Sequence, residues 1–185
     1  FMTLYPKVQI GVWSSNSLVD LVKESIDVAV RIGRAKDSTM IQKKIGEVPL
    51  VFVMSAELAK RYGDLNKIED LETLPFLAFT PADLKRYSFK VTNGKERRTL
   101  KVNVHFASNN FFTLRQMALH GGGVTLLGGF LAREHLASGE LVRVFKEWTT
   151  EPTPIQILMP HQKEPPLRVK KFIEFAAARL SQYLL

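Results

Sequence analysis

An α/β fold with two lobes is the architecture that this 185-residue sequence predicts, and three features point to it. Strand and helix patterns alternate near both ends of the chain, as they do in βαβ units. The middle of the chain carries a hairpin pattern instead. No Gly/Ser-rich linker separates independent domains. We therefore expect the first lobe to comprise residues 1–47 and 146–185, and the second lobe residues 48–145.

The amino-terminal segment predicts a strand, a short helix and a second strand. Residues 8–12 alternate apolar with other side chains, which is the period of a strand. Residues 18–24 place apolar side chains at helical spacing, and a polar residue before them can cap that helix. Residues 26–32 are rich in β-branched side chains and predict a buried parallel strand, in which Asp27 makes a hydrogen bond or an ion pair.

The next segment predicts extended stretches around a capped helix. Residues 40–45 and 48–54 have the composition of strands. A helix follows that Ser55 caps and Gly63 ends, because the serine hydroxyl can accept from a free N–H of the first turn. Residues 76–79 predict another short strand.

The middle of the chain predicts a β-hairpin followed by a helix. Residues 87–91 and 100–106 flank a loop that contains Asn93-Gly94, and Asn-Gly accepts the positive φ angles of a tight turn. Ser108 is expected to cap the helix, which covers residues 109–120.

The last part of the chain returns to alternating elements. Glycines 121–123 end the preceding helix and allow the close passage of another backbone segment. Strands are then predicted at residues 124–127, 141–145 and 155–159, and a helix at residues 130–137. The final helix begins near Pro166, and its apolar stripe predicts a face buried in the core, formed by Val169, Phe172, Ile173, Ala176 and Leu180.

The composition is that of a globular protein. Apolar residues make up 45 % and charged residues 24 % of the chain, and no apolar run is long enough to span a membrane. The first residues lack the basic stretch and apolar core of a secretory signal peptide. The absence of cysteine excludes disulfides and thiolate sites. A formal net charge of +8 favours anionic partners, although the basic groups are expected to be solvated surface.

The sequence predicts neither a catalytic nor a metal site. The four histidines show neither the i, i+4 spacing of a helical metal pair nor an HExxH motif. Glycines 121–123 follow a helix and precede a strand, which is the wrong order for a dinucleotide site. We therefore expect no enzymatic activity and no cofactor.

Polar side chains at strand ends and helix starts form the candidate binding site. Ligands of open α/β sheets bind beyond the carboxyl ends of strands, and amides at a helix start favour anions. Hydroxyls, an arginine and amides that converge there would bind a carboxylate. Helix capping alone, or an ion pair at the edge of the core, explains the same residue types equally well. The residues concerned are Ser14, Ser15, Asn16, Arg31, Ser108 and Asn109.

The order of these motifs resembles that of LysR-type transcriptional regulators, in the domain that binds the effector. The first lobe is similar to the family pattern in Tyr5-Pro6, in residues 27–33 (DVAVRIG) and in Asp37-Ser38. The second lobe is similar to it in the segments SNNFFTLRQMALHGGGVTLL and GELVRVFKEW. Each piece is short, but together they follow the family's order and spacing over nearly the whole chain.

The resemblance implies a type II periplasmic-binding-protein-like fold. In that fold each lobe is a mostly parallel sheet flanked by helices, and two crossover strands join the lobes. A small-molecule effector is then expected between the lobes. The matching positions are Ser14 and Ser15 in the first lobe and Ser108 and Asn109 in the second, while Arg31 lies in the motif strand. The match starts inside the helix that follows the family's first strand, so DNA contact is expected only from a winged helix-turn-helix outside this sequence.

The resemblance also implies a cytoplasmic homodimer, or a tetramer of the full-length protein, with no membrane partner. Residues 18–25 and the helix over 108–120 are the candidate contacts between subunits, and packing into the core is the other role open to them. Two other classes of protein stay open. A periplasmic-type solute-binding protein for a small anion would share the fold and carry a signal peptide upstream. An α/β enzyme would need a positioned catalytic group.

Overall fold

The computed structural model describes residues 1–15, 19–33, 40–65, 67–79, 87–161 and 164–183. Two compact units divide the chain, one formed by Phe1–Val48 with Thr153–Leu185 and the other by Pro49–Pro152. The return to the first unit comes at Thr153, later than the predicted residue 146. The reason is that Thr149 pairs with Val51 and Thr92, on two strands of the second unit.

The described residues form eleven strands and four α-helices. In chain order the strands are β1 (Ala29–Ile32), β2 (Met40–Val48), β3 (Leu50–Ser55), β4 (Phe76–Phe79), β5 (Ser88–Thr92), β6 (Arg97–Lys101), β7 (Val104–Ser108), β8 (Val124–Gly128), β9 (Leu141–Arg143), β10 (Thr149–Thr150) and β11 (Thr153–Pro160). The helices are α1 (Ala56–Tyr62), α2 (Phe111–Leu119), α3 (Gly129–Ser138) and α4 (Leu167–Tyr183), and a 3₁₀ helix (Ile68–Glu72) follows α1.

The first unit contains a three-stranded sheet in the order β1-β11-β2. Both pairings are antiparallel. The prediction of a mostly parallel sheet is therefore wrong for the described strands of this unit. Strand β11 comes from the carboxy-terminal part of the chain, lies between β1 and β2, and runs opposite to both.

Helix α4 packs on this sheet through the predicted apolar stripe. Packing removes the apolar side chains of both the helix and the sheet from contact with water, and this burial holds the helix against the sheet. The buried core consists of Ile157 from β11 and Val169, Ile173 and Ala176 from α4, with Phe172 and Leu180 partly buried beside them. The prediction of a buried stripe is confirmed.

The amino-terminal segment does not form the predicted strand and helix. Residues 8–12 are irregular and mostly exposed, and no described strand pairs with them. Residues 21–25 form turns and not a helix. The Asp20 carboxylate accepts from two N–H groups of this turn, and Ser25 takes a positive φ of 54°. The positive φ of Ser25 interrupts the turn, so the segment does not continue as a right-handed helix.

Strand β1 is shorter and less buried than the sequence predicts. Its side chains alternate between partly buried and exposed positions. Asp27, which the pattern places inside the strand, precedes β1 and is exposed. Among the described strands β1 pairs only with β11, so it lies at the edge of the described sheet. Val30 and Ile32, which share one face of the strand, are exposed.

The second unit contains an eight-stranded sheet. Its order is β6-β5-β10-β3-β8-β4-β7, with β9 beside β3. Among the described pairings, only those of β4 with β7 and with β8 are parallel. The mostly parallel prediction is wrong here too, because β5 and β6 form a hairpin and the returning strands β9 and β10 run against β3.

The central strands of this sheet have buried side chains on both faces. Phe52 belongs to the core on one face and Val53 to the core on the other, as the alternation of a strand requires. Helix α1 and the 3₁₀ helix pack on the Phe52 face, through Leu58 and Leu71. Helices α2 and α3 pack on the opposite face. The α/β fold class is confirmed.

The predicted cap of α1 is present. The Oγ atom of Ser55 accepts from the backbone N–H of Leu58 at 3.1 Å. Gly63 follows the helix with a φ of 72°, a conformation that suits glycine. Both ends of α1 are therefore determined by residues that the sequence identifies.

The predicted hairpin is also present, with a shorter loop. Strands β5 and β6 pair in antiparallel register, and Gly94 takes a φ of 86° in the turn. The Oδ1 atom of Asn93 accepts from the N–H groups of Lys95 and Glu96. Because this turn closes early, β6 starts at Arg97 inside the predicted loop. The predicted strand over 100–106 is accordingly split between β6 and β7.

Glycines 121–123 end α2 and bring two backbone segments together, as predicted. Gly121 takes a φ of 75°. A Cβ added to Gly123 would lie 2.3 Å from the carbonyl oxygen of Pro75. Any side chain at this position would therefore overlap the backbone before β4.

Candidate functional site

The carboxyl ends of β4 and β7 lie side by side in the second unit. The two strands are parallel, and their register pairs Phe79 with Ser108, the last residue of each. The chain passes through Asn109 and enters α2 within a few residues. Ser108 and Asn109 therefore occupy the edge of the sheet at which ligands of α/β proteins bind.

Asn110, and not Ser108, caps helix α2. The Oδ1 atom of Asn110 accepts from the N–H groups of Phe112 at 2.8 Å and Thr113 at 3.2 Å. The Oγ atom of Ser108 accepts from the N–H of Asn110 at 3.1 Å. That bond uses one lone pair of Ser108, and the hydroxyl hydrogen is not needed for it. The prediction that Ser108 caps this helix is therefore wrong, and asparagine is as good an N-cap as serine.

The start of α2 is electrostatically suited to an anion. The first turn of this helix contains no acidic residue, so its positive end is not neutralised locally. Asn109 is exposed immediately before the cap. A helix start of this kind stabilises a nearby negative charge by about 0.3–1 kcal/mol.

Aromatic contacts hold the end of β4 next to this helix start. The rings of Phe79 and Phe111 stack with their centroids 4.0 Å apart. The hydroxyl of Tyr87 donates to the carbonyl oxygen of Phe79 at 3.3 Å. Burial raises the pKa of the Tyr87 hydroxyl, so this group remains a neutral donor. The strand end beside Ser108 is therefore fixed by both apolar and polar contacts.

The predicted site residues of the first unit lie in different surroundings. Ser14 and Ser15 are exposed in an irregular segment, and the strand expected before them is not formed. Ser14 and Ser15 therefore do not lie at the carboxyl end of a described strand. Asn16 lies outside the described residues. A role for Ser14 and Ser15 rests on the resemblance to the family, and a role for Asn16 stays a prediction from the polar run that the three residues form.

Arg31 lies within β1 and is partly buried. Its register partner is Gln156 of β11. This pairing is antiparallel, so the rule that ligands bind at the carboxyl ends of parallel strands does not support Arg31 as a ligand contact either. Its contact with a ligand stays a prediction.

A separate pocket lies at the opposite end of α2. It encloses about 490 Å³ and is lined in part by Ser55, Gln116, His120, His135 and Glu140. The Nδ1 atom of His135 lies 2.8 Å from Oε2 of Glu140. Hydrogen bonds from His135 and Ser138 lower the pKa of the Glu140 carboxyl. None of the five predicted site residues that the structure describes lines this pocket.

Across the described ranges, no three His, Asp or Glu side chains are placed to hold a metal ion. In the same ranges, no helix has both the length and the apolar character needed to cross a membrane.

Two curated relatives are similar to this chain over most of its length. The HTH-type transcriptional regulator PtxR of Pseudomonas aeruginosa is 29 % identical over 174 residues, which are 94 % of this chain and 55 % of the relative. The HTH-type transcriptional regulator CrgA of Neisseria meningitidis is 26 % identical over 186 residues, which are 100 % of this chain and 61 % of the relative. The chain thus spans little more than half the length of these relatives.

Solved structures show the same fold. The full-length Vibrio cholerae virulence activator AphB has a TM-score of 0.82 and 29 % identity, over 96 % of this chain and 60 % of that one. The regulatory domain of CrgA from Neisseria meningitidis has a TM-score of 0.85 and 24 % identity, over 97 % of this chain and 87 % of that one, and supports the fold alone. The family pattern described as the LysR substrate binding domain matches residues 1–181, and this chain belongs to that family.

Proposed function

We propose that this chain senses a small organic anion and thereby regulates transcription by a longer protein. Membership of the substrate-binding domain family supports a ligand-sensing role. The relatives PtxR and CrgA are transcriptional regulators by name, which supports the regulatory role. In this proposal the chain has no enzymatic activity of its own.

The position of Ser108 is the observation that carries the anion proposal. Its hydroxyl lies at the carboxyl end of β7, beside the end of β4 and directly before α2. Asn110 supplies the cap, so the hydroxyl hydrogen of Ser108 and the exposed amide of Asn109 serve as donors to the ligand. The positive end of α2, whose first turn contains no acidic residue, adds attraction for negative charge.

The other predicted site residues belong to the first unit. In the proposal Ser14 and Ser15 contact an effector, because their positions match the family pattern, and Asn16 is included because it directly follows them in the sequence. Arg31 supplies the counter-charge if it reaches the ligand, since a guanidinium binds a carboxylate through two parallel hydrogen bonds. These residues are tested separately from Ser108.

The regulatory part of the proposal concerns the full-length protein. DNA is contacted through a helix-turn-helix domain, as the names of the relatives support. The protein acts as a homodimer or tetramer in the cytoplasm, and effector binding changes how that assembly engages DNA. Helix α2 is a candidate for the contact between subunits, because Phe112 is 60 % exposed on it.

A thermal-melt screen followed by titration tests the sensing role. The chain is melted at fixed salt with a panel of small carboxylates, amino acids and aromatic acids. A ligand at about one hundred times its dissociation constant adds roughly 2.7 kcal/mol of stability. That stabilisation raises the melting temperature by about 5–10 °C in a chain of this size. No rise with any anion, from a sample that melts cooperatively, would contradict the proposal.

Variants then locate the site with the ligand that the screen identifies. Ser108→Ala removes a hydrogen bond to a charged group, which is worth about 1.5–3 kcal/mol, and we expect Kd to rise about ten- to hundred-fold. Ser15→Ala tests the first unit in the same way. Ser181→Ala, in α4, is the matched control and leaves Kd unchanged. Unchanged affinity in both Ser108→Ala and Ser15→Ala would refute the site.

A further inference from the structure

The hairpin of β5 and β6 has one apolar face and one face without any apolar side chain. Phe89, Val91 and Leu100 belong to the core of the second unit. The alternate residues point to the other side, and there three hydroxyl side chains accompany three cations. These six residues are Ser88, Lys90, Thr92, Arg97, Thr99 and Lys101, and we call them the basic face.

The register of the hairpin spaces the three cations regularly. Lys90 is paired with Thr99, Arg97 with Thr92, and Lys101 with Ser88. Each cation is thus opposite a hydroxyl, and Lys90 lies diagonally between Arg97 and Lys101. Diagonal neighbours in an antiparallel pair are roughly 7–8 Å apart. Arg97 and Lys101 are separated along β6 by about 13–14 Å, since a strand rises about 3.4 Å per residue.

Few carboxylates neutralise the basic face. Arg97 contacts Glu151 through its Nε atom at 3.2 Å, and its side chain is still 78 % exposed. Lys90 and Lys101 have no ion pair with a carboxylate in the described part of the chain, and both are exposed. The neighbouring carboxylates Glu69 and Glu96 are paired with Arg98. Arg98 stacks over Trp148, and so lies toward the opposite face of the hairpin.

We propose that the basic face binds the phosphate backbone of double-stranded DNA, independently of base sequence. Each strand of a duplex carries one phosphate per about 3.4 Å of axis, so the span from Arg97 to Lys101 covers about four phosphates of one strand. The hydroxyls of Ser88 and Thr99 can donate to phosphate oxygens as lysine and arginine do, whereas that of Thr92 donates to the carbonyl oxygen of Glu96. The sensing domain thereby adds a DNA contact of its own, which goes beyond the proposed function and does not depend on the effector.

The residues of the basic face favour a duplex over other polyanions. Single strands are held by aromatic side chains on which bases stack. The aromatic residue of this hairpin, Phe89, is turned away and stacks on Phe76 with ring centroids 5.3 Å apart. An acidic protein partner would bury apolar as well as charged surface, and the basic face offers no apolar side chain.

The salt dependence of duplex binding tests the proposal. Binding of the 185-residue chain to a fluorescent mixed-sequence duplex is measured by anisotropy at several salt concentrations. Three phosphate contacts contribute a slope of about −2.7 to the plot of log K against log salt, which corresponds to about a forty-fold loss between 50 and 200 mM. The variant Lys90→Gln/Arg97→Gln/Lys101→Gln is expected to make the slope shallower by about 2.7.

A second triple variant controls for net charge. Lys7→Gln/Lys23→Gln/Lys60→Gln removes the same charge from exposed positions elsewhere. Circular dichroism melts confirm that both variants fold. A slope change of less than about one in this control, with the full change in the hairpin variant, supports the proposal. Equal changes in the two variants, or binding of polyglutamate or a single strand as tight as that of the duplex, would overturn it.

Discussion

Gly123→Ala measures the close backbone contact at the start of β8. Gly123 has a φ of 149°, and an added Cβ would lie 2.3 Å from the carbonyl oxygen of Pro75. That oxygen also accepts from the N–H of Val124 at 2.8 Å, so neither segment can move away without losing this bond. Backbone strain costs about 1–3 kcal/mol and overpacking about 1–3 kcal/mol, which together lower the free energy of unfolding by roughly 2–6 kcal/mol.

Urea denaturation followed by tryptophan fluorescence is the assay for this prediction. Trp148 is buried in the second unit, and Trp13 is exposed in the first, so Trp13→Phe as the background makes the signal specific to the second unit. Gly129→Ala is the matched control, because its Cβ would meet no atom within 4 Å and its φ is not positive. We expect this control to gain about 0.4–1 kcal/mol. A loss below about 1 kcal/mol for Gly123→Ala would refute the reasoning, since even the smaller cost alone reaches that value.

Two further predictions concern a helix cap and a surface carboxylate. Asn110→Ala is expected to lower the free energy of unfolding by about 0.5–2 kcal/mol, since two N–H groups of α2 lose their acceptor, and the same urea assay measures it. A larger loss in Ser108→Ala would contradict the assignment of the cap. The pKa of Glu140 is lower in the folded chain than its ordinary value of 4.5, so below about pH 4.5 the unfolded chain binds more protons than the folded chain does. The stabilisation that the Glu140 carboxylate gives to the folded chain is therefore lost as the pH falls. As the pH is lowered below about 4.5, the melting temperature of Glu140→Gln should therefore fall less than that of the parent, and equal falls would contradict the pKa shift.

The elements of the second unit could be predicted from the sequence because their signals are local. Ser55 caps α1, Gly63 ends it with a positive φ, and Asn93-Gly94 makes the hairpin turn. Each of these residues acts on backbone groups within a few positions of itself. Such signals survive folding unchanged, because no distant part of the chain competes with them.

The pairing of strands could not be predicted in the same way. Whether β1 is parallel or antiparallel depends on which strand lies beside it, and that strand, β11, begins at Thr153, far away in the sequence. A β-branched run has the same composition in both cases. The prediction for the amino-terminal segment was wrong for a different reason. The apolar alternation of residues 8–12 has no partner strand among the described residues, and without a partner the period of two does not produce a strand.

The candidate site was predicted in part. Ser108 and Asn109 lie at a true parallel strand end, where the rule for α/β sheets applies. Ser14 and Arg31 were selected by the same rule, but neither follows a strand that runs parallel to a described neighbour. The resemblance to the family is the remaining support for these two residues.

Ser108 and Asn110 have different hydrogen-bonding roles, so the effect of each side chain on protein stability can be measured separately from its effect on ligand binding. A serine that capped α2 would link the two, because its removal would weaken the helix and the ligand contact together. In this chain Asn110 accepts from the N–H groups of the first turn, and Ser108 only accepts from Asn110. Ser108→Ala should therefore weaken ligand binding far more than it lowers stability, and Asn110→Ala should do the reverse. If both variants lost affinity and stability in the same proportion, the helix start would be acting as a structural element alone and not as a binding site.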